Sequence, residues 1–154
     1  LYAIYSVNPF RVLRIENGRA SWVATPDDPG TPWSGGEIRG GSSPVPYNGE
    51  LYAFFHDHVM VAGRKRYRVG VITYDAAPPF YPSRIGRLPI WTADPATQPP
   101  QDVNYCDCLF PRGAALHGTD WVVSCGVHDR FTEIRRISQA DIEFALKPVV
   151  SGKP

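Results

Sequence analysis

A short apolar phrase is written three times along this chain, at Leu1–Ser6 (LYAIYS), Leu51–His56 (LYAFFH) and, more loosely, Trp121–Gly126 (WVVSCG). Each copy is followed, after a loop of polar or turn-forming residues, by a second strand-like run: Arg11–Ile15, Tyr67–Tyr74 and Phe131–Ile137. Repeats this widely spaced indicate stacked supersecondary units, with propellers and solenoids foremost. Apolar alternation dominates and no 3.6-residue stripe appears before Ser138, so the body is predicted to be all-β.

Turn chemistry divides the chain into units. Asn17-Gly18 separates two strand-like runs and suits a two-residue hairpin, because both residues tolerate positive φ. Residues 26–36, centred on Asp27-Asp28-Pro29-Gly30, carry too many breakers for a strand and read as a crossover. The second unit then runs through a strand near Ser43–Tyr47, an Asn48-Gly49 turn, Glu50–His56 and Tyr67–Asp75, with Leu88–Thr92 as its last strand. Residues 93–104 read as a long loop. The third unit comprises Cys108–Leu116, a His117-Gly118 turn, Asp120–Cys125 and Phe131–Ile137. Ser138 with Asp141 three residues on is a capping box, predicting a short helix to Leu146 that Pro148 ends. The expected blade units are 1–36, 37–104 and 105–154 of a single domain. Propellers close with about four to eight blades. Three blades therefore predict a partial propeller, completed by sequence beyond this chain or by a second copy. A sandwich of about ten strands fits the same turn spacing.

Composition excludes several partners. A formal charge of +1 over 154 residues gives no bulk attraction to nucleic acid or anionic membrane. No stretch approaches the roughly 20 apolar residues of a spanning helix. Cys106, Cys108 and Cys125 are odd in number, which predicts reduced thiols and a cytoplasmic location. Cys-x-Cys lacks the second pair or spaced histidines of structural zinc sites, so no metal is expected. Cys125, inside an apolar strand, is expected to be inert.

Candidate site residues follow the repeated strands. His56, Asp57 and His58 come after the second copy, and His128, Asp129 and Arg130 after the third. Matched His/Asp clusters would place two imidazoles and two carboxylates around one mouth, suited to a hydroxyl-rich ligand. Arg39-Gly40-Gly41-Ser42 combines a donor fork with glycines that let backbone approach a ligand. Phe110-Pro111-Arg112-Gly113 breaks an apolar strand and could turn Arg112 toward the same place. The basic run Arg64-Lys65-Arg66 is expected at a solvated hairpin tip.

Taken in order, these residues resemble the five-bladed β-propeller hydrolases and phosphorylases of glycoside hydrolase family 130. The resemblance rests on Gly40-Gly41, Pro44, Gly49-Glu50-Leu51 and Phe55-His56, then Tyr67, Gly70, Asp75 and Pro78. It ends with Phe110-Pro111-Arg112-Gly113 and Gly126-Val127-His128-Asp129. It covers about the last two-thirds of the chain and implies that a glycoside or oligosaccharide, mannoside-like, binds in an axial pocket. His56 and Asp129 would contact sugar or phosphate oxygens, with Arg39, Tyr67 and Arg112 beside them and His58 and His128 as further candidates. Phosphorylase members invert at the anomeric carbon, so inorganic phosphate is the implied co-substrate and no other cofactor is expected. The family's general acid lies upstream of anything here, so no residue of this chain takes that role. Cys125 and His128 depart from the family pattern and point to a divergent relative. The alternative is a non-catalytic propeller that binds glycan or protein, associated with a glycosyltransferase domain.

Overall fold

In the computed structural model, the described residues are 1–23, 33, 37–97 and 106–148. The predicted crossover at 26–36 lies outside them apart from Trp33, as does most of the predicted loop at 93–104. Three sheets account for the described chain. The first contains β1 (Tyr2–Val7), β2 (Phe10–Glu16) and β3 (Arg19–Trp22) in sequential antiparallel order. The second is built around a long hairpin, β6 (Glu50–Val61) and β7 (Arg64–Asp75), with β4 (Arg39–Gly40) and β5 (Val45–Tyr47) against β6. On the far side of β7 lie β8 (Pro82–Gly86), β9 (Trp91–Thr92) and the short parallel β10 (Cys106–Asp107). The third contains β11 (Leu109–His117), β12 (Asp120–Val127) and β13 (Phe131–Ser138). A helix, α1 (Gln139–Ala145), follows, and β14 (Leu146–Pro148) returns to pair with β8.

The repeated phrase falls on β1, β6 and β12, and each copy pairs antiparallel with the strand after it. Apolar patterning explains why the sheets stack. Along β12 every second residue is buried, Trp121, Val123, Cys125 and Val127, so only one face of the third sheet meets the core. In β6 and β7 the apolar run is continuous, and a sheet covered on both faces requires that. Tyr52, Phe54, Val69 and Val71 pack toward Leu109, Trp121 and Val123. Ala53, Phe55, Ile72 and Tyr74 pack the other way, against Val7, Phe10 and Val12. The middle sheet is thus held between its two neighbours, as a blade is between blades.

Several local expectations are met. Asn17-Gly18 and Asn48-Gly49 are two-residue turns with φ of 50° and 73°, and 47° and 80°. Ser138 caps α1, its Oγ accepting from the Asp141 backbone N–H at 3.1 Å. Others are corrected. The last strand of the second unit is Pro82–Gly86, with only Trp91 and Thr92 paired in the stretch expected to be a strand. The helix stops at Ala145, because Leu146–Pro148 gains sheet hydrogen bonds to β8 instead. The tip of the β6–β7 hairpin is Ala62-Gly63, at φ of 48° and 78°, and Arg64-Lys65-Arg66 lies within β7. There Arg64 and Arg66 flank buried Asp107 at 3.3 and 3.4 Å. A buried carboxylate needs such partners.

Candidate functional site

Side chains alternate along a strand, and that decides the fate of the His56-Asp57-His58 cluster. These residues were expected at a strand end, but β6 continues to Val61 and holds them inside it. Asp57 therefore faces away from the two histidines. Its carboxylate is fully buried and ion-paired with Arg68, whose Nε donates to Oδ1 at 2.9 Å. Arg68 also donates to the Trp33 carbonyl at 2.8 Å and lies 4.8 Å from the Trp33 ring. Asp57 secures the middle sheet and is not a pocket carboxylate, which corrects the expectation of two carboxylates at one mouth.

On the opposite face, His56 lies among aromatic rings. Its imidazole is 5.8 Å from Tyr67 and 4.9 Å from Phe110, and the Tyr67 and Phe110 rings are 4.7 Å apart. His58 is 5.6 Å from Tyr67 on the same side. Arg39 pairs in register with His56 across β4 and β6, which puts their side chains on one face. The exposed Arg39 guanidinium is engaged by Glu37, with Nε 3.1 Å from Oε2. That hydrogen bond and the guanidinium charge hold the Glu37 carboxyl below its ordinary range. Burial, then the Arg39 charge, pushes the His56 imidazole down to about 4, against a smaller opposing pull from Asp57. At neutral pH His56 is therefore uncharged, and its buried Nδ1 has no hydrogen-bond partner among the described residues. The group offers aromatic faces, a neutral imidazole, a phenol and a cation. Such a surface suits a hydroxyl-rich ligand.

The other predicted residues lie on the third sheet. Arg112 is the extra residue of a β-bulge between Pro111 and Gly113, exposed and lying over Gly126. His128 and Asp129 belong to the turn between β12 and β13, with φ of 52° and 56°. His128 is buried, and its Nε2 lies 2.8 Å from Thr97 Oγ1. Asp129 is exposed, with a carboxylate oxygen 3.7 Å from Cys108 Sγ. Arg39, His56, His58 and Tyr67 form one group, and His128 and Asp129 another.

Phe110 completes the aromatic surface and was singled out in the sequence only as part of a strand break. Its position at the start of an apolar strand gave no sign that its ring would turn onto β6 and β7. The close approach that allows this is visible at Gly41. A Cβ there would lie 2.6 Å from Pro111 Cγ and from its carbonyl oxygen, and 2.7 Å from the Phe54 oxygen. Only glycine lets β11 come this near.

The expectation of reduced thiols is corrected for two cysteines. Cys106 and Cys108 are joined as a disulfide, with their Cα atoms 5.4 Å apart, within the range such a bond spans. Cys125 is free and buried, and burial raises its thiol to about 11, so it is inert as expected. A cavity of about 520 Å³ opens between the first two sheets, lined in part by Tyr5, Ser6, Gly41, Ser42 and Phe54. Another of about 870 Å³ lies beside Trp91, Arg136 and Phe144. Of the predicted site residues, only the Gly40-Gly41-Ser42 stretch lines the first cavity, and Arg39, His56, His58, Tyr67, Arg112, His128 and Asp129 line neither.

The fold defines the class: consecutive antiparallel blades of a β-propeller of the kind found in propeller phosphorylases, with one short helix. The chain superposes on the β-1,2-mannobiose phosphorylase from Listeria innocua, solved in complex with β-1,2-mannobiose, with a TM-score of 0.64 at 17% identity. The match covers 89% of this chain and 38% of that one, so the chain spans well under half the length of the enzyme it resembles. The propeller resemblance read from the sequence is thereby matched in structure. No protein-family model and no curated protein matches the sequence.

Proposed function

We propose that the chain is part of a carbohydrate-active propeller that binds a mannoside-like glycoside against the His56–Tyr67–Phe110 surface, for hydrolysis or phosphorolysis. The observation that carries this reading is the neutral, half-buried His56. Its Nδ1 is unpartnered among the described residues, and two aromatic rings and Arg39 surround it. A sugar presents apolar C–H faces to rings and hydroxyls to an imidazole that can accept or donate. An uncharged imidazole would leave anion binding to Arg39 and Arg112, so inorganic phosphate is best matched to those guanidiniums. Arg39 is exposed and His56 and Tyr67 are half-buried, as expected where further blades of a larger propeller would stand. Asp129 is a ligand contact in this scheme only if those blades bring substrate across to the β12–β13 turn.

One observation favours a binding module over a catalyst within this chain. The Glu37 and Asp57 carboxylates are engaged, by Arg39 and Arg68, while inverting hydrolysis uses two carboxyl groups roughly 6.5–9.5 Å apart across the bond. The general acid is therefore assigned to the rest of the propeller.

The test is calorimetry and product analysis of the complete protein with β-1,2-mannobiose, with and without phosphate. Binding that is lost in His56→Ala and Tyr67→Ala variants of unchanged thermal stability supports the reading. Release of sugar or sugar phosphate identifies the enzyme, and binding without turnover identifies the module. No binding of any mannoside, or binding indifferent to His56, overturns it.

A further inference from the structure

One cluster outside the glycoside surface has its own chemistry. Cys106, Cys108 and Asp129 each offer a ligand atom, and these atoms lie within 4.8 Å of one another. Both segments that supply them are anchored. β10 carries Cys106 and Asp107, and Cys108 follows it directly. Asp107, 1% exposed, is clamped by Arg64 and Arg66, and the strand is hydrogen-bonded in parallel to β7 at Lys65 and Arg66. The β12–β13 turn is fixed to the same place, since the His128 backbone N–H donates to the Cys108 carbonyl at 3.0 Å. The Arg130 N–H closes the turn on Val127 at 3.0 Å. Asp129 is thereby held in a left-handed conformation with its carboxylate 3.7 Å from Cys108 Sγ. As a disulfide, the two sulfurs have no proton to share with that carboxylate and no charge to offer a cation.

We propose that in its reduced state this cluster is a metal site, in which the Cys106 and Cys108 thiolates and the Asp129 carboxylate bind a divalent ion of the zinc type. Reduction supplies two electrons and two protons to the S–S bond from two thiols, which leave joined as their own disulfide. Binding of Zn²⁺ then releases the two thiol protons to solvent and forms two Zn–S bonds and one Zn–O bond. Two soft sulfurs with one carboxylate suit Zn²⁺ better than Mg²⁺ or Ca²⁺, which take oxygen ligands. His128 is not among the residues whose ligand atoms meet there, and its Nε2 lies against Thr97 Oγ1. With three protein ligands and an exposed Asp129, the fourth position is open to water, the pattern of sites that do more than hold a fold together. Oxidation to the disulfide withdraws both thiolates, so metal and disulfide are mutually exclusive states of one site.

Cobalt(II) reports this directly, because thiolate coordination gives charge-transfer absorption that carboxylate coordination does not. The complete protein, reduced with a phosphine so that no added thiol competes, is titrated with Co²⁺ and then Zn²⁺. One equivalent is expected to bind, with thiolate charge-transfer bands that Zn²⁺ displaces and that oxidation abolishes. Cys106→Ser and Cys108→Ser should lose these bands. Asp129→Asn, an exposed change that leaves the fold intact, should weaken Zn²⁺ by about tenfold or more, the scale on which even partners beyond the ligands act. Absence of stoichiometric binding in the reduced protein overturns the proposal, as does binding that survives Cys108→Ser or is indifferent to Asp129→Asn. Mannoside binding is a separate measurement, and its failure leaves these outcomes readable.

Discussion

At the scale of single residues, alternation on β6 separates chemistry from support. His56 and Asp57 are neighbours in sequence with opposite environments, one among aromatic rings and one sealed against Arg68. For His56 the folded value near 4 lies below the ordinary 6.5. As pH falls below 6.5 the unfolded chain takes up this proton first. Its contribution to stability is therefore complete above 6.5 and is lost progressively as pH falls toward 4. A His56→Gln variant cannot make this transition, so its melting temperature should depend less on pH than the wild type's across that window, as scanning calorimetry at a series of pH values will show. Equal slopes would mean that the imidazole is not buried as described. Arg68→Met is expected to destabilise by about 3–5 kcal/mol in urea titrations, because it leaves a buried carboxylate without its partner. The histidines and Asp57 were legible as polar residues in an apolar context. Their division of labour was not, since both the site reading and the structural one place Asp between two His residues. The length of β6 decided it.

Turns and close approaches carry the argument at the scale of elements. Asn17-Gly18, Asn48-Gly49 and the Ser138 cap were readable because positive φ and capping are properties of a few adjacent residues. The Ala62-Gly63 tip was less so, for alanine pays strain at φ 48° that only the pairing of twelve residues on either side offsets. Gly41 belongs to a different kind. Nothing local marks it, yet β11 crosses so close that an added methyl would meet Pro111 and Phe54 backbone oxygens below 3 Å. Gly41→Ala should cost about 1–3 kcal/mol, the range for overpacking, because backbone cannot move aside as a flexible side chain can. Thermal unfolding will measure this, and the same variant should disturb the Phe110 ring over His56, seen as altered mannoside affinity. A neutral effect would show that the two inner segments can part. Helix α1 is pinned to the middle sheet by polar contacts as well. Arg84 is shared by Glu50 and Glu143, and Tyr52 Oη donates to Glu143 at 2.7 Å. Burial, followed by that carboxylate, raises the Tyr52 phenol to about 12, so it remains a donor throughout the working range.

For the molecule as a whole, three stacked sheets leave edges that need partners. Among the described residues β3 pairs only with β2 and β13 only with β12, and unpaired edges invite association with another chain. Residues 1–154 are therefore expected to self-associate with rising concentration in analytical ultracentrifugation. A monodisperse monomer would mean that these edges are protected in some other way. The three-fold apolar phrase, the turns and the uninterrupted apolar run in the middle unit together determined that this chain is a series of β units with one short terminal helix. Those signals are local, because alternation, positive φ and capping act within a few residues. The tertiary structure alone decided which faces were covered and what crossed between units: that the middle sheet is buried on both sides, that Asp57 belongs to Arg68, that Phe110 roofs His56, and that Cys106, Cys108 and Asp129 share one corner. Each of these depends on residues tens of positions apart being brought together by packing, and spacing along the chain carries no record of that distance.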